Sequence, residues 1–121
     1  MNSRRGQLRL ADYVEHILGA CERVQEYMQG ATKDAFFRDQ RTQDAVIRNI
    51  LVVGEAAAQI LDNHAAFVQA QSEIPWNQMK GMRNRMVHGY FETNLGLVWE
   101  TVQVFVPDLI RQLQPADRSG E

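Results

Sequence analysis

The chain has 121 residues, 45% of them hydrophobic and 23% charged, with a formal net charge of -2. That length allows one buried core but not two, and the composition is that of an ordinary globular domain. The charge gives no global attraction to nucleic acid, so any contact with RNA must come from a local patch, for which Lys80, Arg83 and Arg85 are the candidates.

Read from the N-terminus, Leu10, Tyr13, Val14, Ile17, Leu18, Cys21, Val24 and Met28 recur at spacings of three and four, which predicts a long core-facing helix ending near Gly30. Thr32, with Asp34 just inside, can cap a short helix through Phe36 and Phe37. A second long helix is expected to begin between Asp39 and Thr42 and to run to about Asp62. Its apolar set includes Val46, Ile47, Ile50, Val53, Ala57, Ile60 and Leu61, and the addition of Leu51, Val52, Ala56 and Ala58 makes the stripe wider than one neighbour covers. Gly54 in its interior costs about 1 kcal/mol relative to alanine, and close approach of another backbone is the usual compensation. A helix crossing is therefore expected at Gly54.

Phe67 and Val68 suggest a short connecting helix, after which Pro75 opens a helix that should stop at Gly89. Asn94 can cap a final helix carrying Val98, Trp99, Val102, Phe105, Val106, Leu109, Ile110 and Leu113, with a kink at Pro107. No alternating run competes as a strand, so the fold class is all-α. The domain is expected to span residues 1–114, with 115–121 a disordered tail.

Cys21 is the only cysteine, so no intrachain disulfide can form, and its register with the apolar stripe makes it a core residue rather than a nucleophile. The longest apolar runs are too short to cross a bilayer, and Met1 to Gly6 lacks an apolar signal segment, which points to a cytoplasmic protein. His16 and His64 have no cysteine or carboxylate cluster at ligand spacing, and no glycine-rich phosphate loop is present, so no metal and no cofactor is expected.

Visible chemistry is confined to Met82-Arg83-Asn84-Arg85-Met86-Val87-His88-Gly89-Tyr90. Arg83 offers a fixed charge and a forked donor suited to phosphate oxygens, and His88 can give and take a proton near neutral pH. On an ideal helix the two lie about 140° apart, so one helix does not present both on one face, whereas Asn84 and His88 do share one. Two copies of the helix meeting across a symmetric interface ease that geometry. By residue type alone, His88 before a glycine also suits a helix C-terminal cap, Arg83 a solvated surface arginine, Tyr90 a ring packed after the turn, and Glu55 an exposed or paired helical glutamate. Trp76, Trp99, Met79, Met82 and Met86 read as core or interface packing.

Arg83, His88 and Tyr90 together match R-x4-H-x-Y, and the segment resembles the signature of HepT toxins, a branch of the HEPN superfamily of helical ribonucleases. Gln43 to Asn49, Gly54-Glu55-Ala56-Ala57, Ile74-Pro75-Trp76 and Val98-Trp99 are similar to that family's pattern in the same order, so the resemblance runs from roughly Leu8 to Leu113. It implies an antiparallel bundle of two long hairpin-like helices plus shorter ones, forming a homodimer with a composite cleft. It further implies a metal-independent endoribonuclease toxin of a HEPN/MNT module, with Arg83 and His88 catalytic and Asn84 and Glu55 supporting them. Tyr90 would be the acceptor of AMP from a cognate minimal nucleotidyltransferase. The substrate would be tRNA or mRNA, and DNA, lacking the 2'-hydroxyl, would not be cut. The alternative is a noncatalytic helical partner subunit of a nucleotidyltransferase that binds a nucleotide or phosphate at the same motif.

Overall fold

The computed structural model of the chain describes residues 9–89 and 94–119, with backbone alone for 116–119. Helix α1, Leu10–Tyr27, buries Tyr13, Val14, Ile17, Leu18, Cys21 and Val24, the stripe expected from their spacing. The chain reverses at Gly30, whose φ of 75° lies in the left-handed region. Helix α2, Lys33–Phe37, is capped by Thr32, whose hydroxyl accepts from the Ala35 N–H at 3.1 Å, and it drives Phe36 into the core.

Helix α3, Gln40–Asn63, begins where Asp39 accepts from both the backbone N–H and the hydroxyl of Thr42, at 3.1 and 2.7 Å. The side-chain bond from Thr42, then the backbone bond, holds the Asp39 carboxyl below its ordinary value. Helices α1 and α3 run antiparallel: Arg23 pairs with Asn49 near one end, and the Tyr13 and His64 rings lie 6.3 Å apart at the other. Asn49 is a buried polar side chain, and both ends of its amide are bonded, Oδ1 to the Arg23 Nε–H and Nδ2 to the Ala45 carbonyl, each at 2.8 Å.

Helix α4, Ala65–Ala70, is a single short turn-like element whose Phe67 ring meets Trp76 at 5.8 Å. The Trp76 indole N–H donates to the Gln71 carbonyl at 3.1 Å. Helix α5, Trp76–Val87, starts directly after Pro75 and buries Trp76, Met79, Met82 and Met86. It stops at Gly89, with φ of 79°, a conformation that a side chain would strain. Asn94 caps helix α6, Leu95–Glu100, by accepting from the Leu97 N–H at 3.0 Å.

The kink expected at Pro107 takes a specific form. A π-helical turn, Thr101–Phe105, separates α6 from helix α7, Val106–Ser119. Proline in a regular helix lacks the N–H and crowds the carbonyl four residues back, which is that of Gln103 here; widening the turn just before it relieves that crowding. Thr101 also donates its hydroxyl to the Leu97 carbonyl at 2.8 Å. Helix α7 continues through Pro115 to Ser119, so the boundary drawn at residue 114 from the sequence is not a boundary of secondary structure.

All described elements are helical, and the chain is an all-α bundle built on the α1–α3 pair, with α5 laid on α3 and α7 closing the core against α1. Val98, Val102, Val106, Leu109 and Leu113 join that core. The wide α3 stripe is partly explained: Ala56 and Ala58 are buried within the chain, while Leu51 and Val52 stay half-buried. No helix among the described residues is long and apolar enough to cross a membrane.

Candidate active site

The site is positioned by Gly54. A Cβ placed there would lie 2.6 Å from the Arg83 Cβ, 3.2 Å from its Cα and 3.0 Å from the Met79 carbonyl oxygen. Two of those three atoms are backbone, so no rotamer change relieves the clash, and only glycine lets α5 rest on α3 at this crossing. The crossing inferred from the sequence thus exists, and its partner is the motif helix itself. Gly54→Val should lower unfolding stability by about 1–3 kcal/mol, the usual cost of overpacking. A urea midpoint equal to that of the natural chain would contradict the close crossing.

Because its own backbone is pressed against α3, Arg83 sends its side chain along α3 to the residue after the glycine. Its Nε lies 3.4 Å from Glu55 Oε1, within ion-pair reach but without hydrogen-bond geometry, and that buried Nε has no other partner. The Arg83 side chain is 28% exposed and that of Glu55 59%. A pair this open contributes at most about 1 kcal/mol, and it engages the Nε edge of Arg83 rather than its terminal nitrogens.

His88 occupies the C-cap of α5, is exposed, and follows the exposed Asn84 by one turn. The ion-pair partner of Arg83 is Glu55. Tyr90 lies outside the described residues. Of the candidate basic patch, Arg85 is exposed, and Lys80 and Arg83 are half-buried.

A cleft of about 400 Å³ opens beside the last turn of α5. Met86 and Val87 form one wall, and Asp44, Ile47, Arg48 and Leu51 of α3 form the other. Sequence reading assigns Asp44 and Arg48 no individual role and takes Ile47 and Leu51 only as part of the apolar stripe. Their spacing carried the signal, since Asp44, Arg48 and Leu51 precede Glu55 by eleven, seven and four positions and so fall on its side of the helix. Burial pushes the Cys21 thiol up to about 12, so it stays protonated and unreactive. Among the described residues, no group of three or more His, Cys, Asp or Glu side chains is gathered at metal-binding distance.

A family model for ribonuclease HepT-like proteins matches residues 17–116. The chain belongs to the ribonuclease HepT-like family. Similar relatives include a probable ribonuclease HepT from Thermococcus cleftensis, 36% identical over 81% of this chain and 86% of its own length. A candidate RNase from Caldanaerobacter subterraneus subsp. tengcongensis is 32% identical over 84% of this chain and 88% of that protein. A Methanocaldococcus jannaschii protein named as a gamma-glutamylcyclotransferase and candidate RNase is 38% identical over 84% of this chain but only 44% of its own length, so this HepT-like chain matches one part of it. No solved structure matches. The HepT-like assignment agrees with the all-α fold and places the Arg83 to His88 segment inside the matched region.

Proposed function

We propose that this HepT-like protein is a metal-independent endoribonuclease and the toxin of a two-gene module. The observation that carries the reading is the disposition of the motif on α5: Arg83 is anchored by Gly54 and paired with Glu55, while His88 stands exposed at the end of the same helix. The substrate's 2'-oxygen attacks the adjacent phosphorus, the bond to the 5'-oxygen breaks, and the products are a 2',3'-cyclic phosphate and a 5'-hydroxyl. His88 transfers a proton as general base or acid, Arg83 offsets charge on the phosphoryl oxygens, and Asn84 orients the phosphate or His88. RNA brings its own nucleophile, so positioning, charge and proton transfer suffice.

The decisive assay is cleavage of tRNA and mRNA by the purified chain, prepared without its partner, in the presence of EDTA. Cleavage with the 2'-deoxy strand left intact supports the reading; activity lost in EDTA and restored by metal overturns the mechanism. Absence of cleavage under all conditions favours the noncatalytic partner subunit instead.

The working unit in this reading is a homodimer. Gly81 supports it: helical and mid-α5, it carries the usual glycine cost, yet a Cβ there would meet only the Arg85 guanidinium at 3.7 Å. No contact among the described residues requires glycine there, and on an ideal helix Gly81 and the exposed His88 are about 20° apart. A second α5 crossing there brings the His88 of one chain toward the other. Gly81→Leu should convert a dimer to a single-chain mass by light scattering, with the helical circular dichroism spectrum retained. A natural chain that is monomeric at micromolar concentration would refute the dimer.

A further inference from the structure

We propose that the cleft between α3 and the last turn of α5 is a guanine-recognition subsite, which rests on the ribonuclease reading and specifies the nucleotide next to which the strand is cut. The cleft's volume of about 400 Å³ is within the range of small-molecule sites, and its lining combines flat-face and edge chemistry. Ile47 and Leu51, both half-buried, and the buried Met86 supply apolar surface for the face of a base. Gln43, Asp44 and Arg48 supply polar groups for its edge.

The acceptors decide which base. The Gln43 Nε2 donates to the Phe36 carbonyl at 2.9 Å, and because a carbonyl can only accept, this bond sets which end of the amide remains for a ligand: the acceptor Oε1. Asp44 adds an exposed carboxylate and is not ion-paired with Arg48 one turn later. A carboxylate beside an amide oxygen calls for adjacent N–H donors. Guanine presents N1–H and the N2 amino group side by side, a match to both carboxylate oxygens, and its O6 and N7 are acceptors suited to the Arg48 guanidinium. Uracil offers one such donor, and adenine and cytosine offer an amino group without the adjoining ring N–H.

Location links the cleft to the reaction. Val87, in its wall, directly precedes His88. Met86 lies about 140° around α5 from Gly81, so the α5 wall of the cleft is off the stripe that carries Gly81. A base seated there places its own or the neighbouring phosphate near the end of α5.

Two measurements test this, the first of them independent of the ribonuclease reading. First, the methyl resonance of Met86 is followed in the full-length protein as each nucleoside monophosphate is added. Guanosine monophosphate should shift it at lower concentration than the other three, by about tenfold, and Asp44→Asn should remove that preference. Second, cleavage is mapped on RNA strands in which a single guanosine is replaced. The natural chain should prefer the guanosine site by about tenfold, and Asp44→Asn should reduce the preference to below about threefold while the strand is still cut. Equal response of Met86 to all four nucleotides, or guanosine preference unchanged by Asp44→Asn, overturns the subsite. A guanosine-selective shift without cleavage of any RNA keeps the subsite and sinks the ribonuclease. Halving of the solution mass by Asp44→Asn or Arg48→Ala would show the cleft to be covered by a second copy, and overturns the proposal as well.

Discussion

Arg83→Ala and His88→Ala are each expected to lower RNA cleavage by a factor of about 10²–10⁴, the usual loss on removing a proton-transfer group or a charge-stabilising donor. The helical circular dichroism spectrum should be unchanged for His88→Ala, because that side chain is exposed at the helix end. Arg83 also packs on α3, but the contact at Gly54 is made by its Cα and Cβ, which alanine keeps, so the crossing should survive this substitution too. Glu55→Gln should be milder, since it weakens the hold on Nε without removing the terminal nitrogens of Arg83. Mixing the two inactive chains then reports on the site's composition. Subunit exchange restores part of the activity only if one member of each pair comes from each chain in at least one arrangement. A folded His88→Ala chain with undiminished cleavage would remove His88 from the mechanism.

We further propose that a cognate nucleotidyltransferase silences the chain by transferring AMP to Tyr90, in which case Tyr90→Phe is expected to keep most of the cleavage yet to escape that silencing. In the proposed reaction the phenol oxygen would attack the α-phosphorus of ATP, pyrophosphate would leave, and a phosphodiester carrying one negative charge would remain two residues from His88 in the sequence. That charge would oppose an incoming RNA phosphate, by the same logic as an inhibitory phosphate. Intact-mass spectrometry after incubation with partner and ATP should show AMP additions on the natural chain and none on the phenylalanine variant. Equal labelling of both would assign the acceptor to another residue.

The local rules of helix formation were legible in the sequence because each rests on a few neighbouring residues. Thr32, Asp39 and Asn94 cap the helices they precede, Gly89 ends α5, and the spacing from Tyr13 to Met28 marks a buried stripe. Even the crossing at Gly54 could be inferred, since a glycine inside a strong helix needs a compensating contact. The form of the Pro107 irregularity could not be inferred, because a kink, a break and a π-helical turn all relieve the same crowding and packing around them selects one.

By itself, then, the sequence determined that the chain is helical, where its first five helices lie, and which short segment holds residue types suited to phosphate and proton chemistry; capping, periodicity and residue type are local properties. Only the tertiary structure decided that the neighbour of Gly54 is Arg83, that the side chain emerging there meets Glu55, and that Asp44, Arg48 and Met86 enclose one cleft. Those pairings join positions far apart in the chain, and they follow from how closely two helices can approach, a distance set by the missing side chain of one glycine.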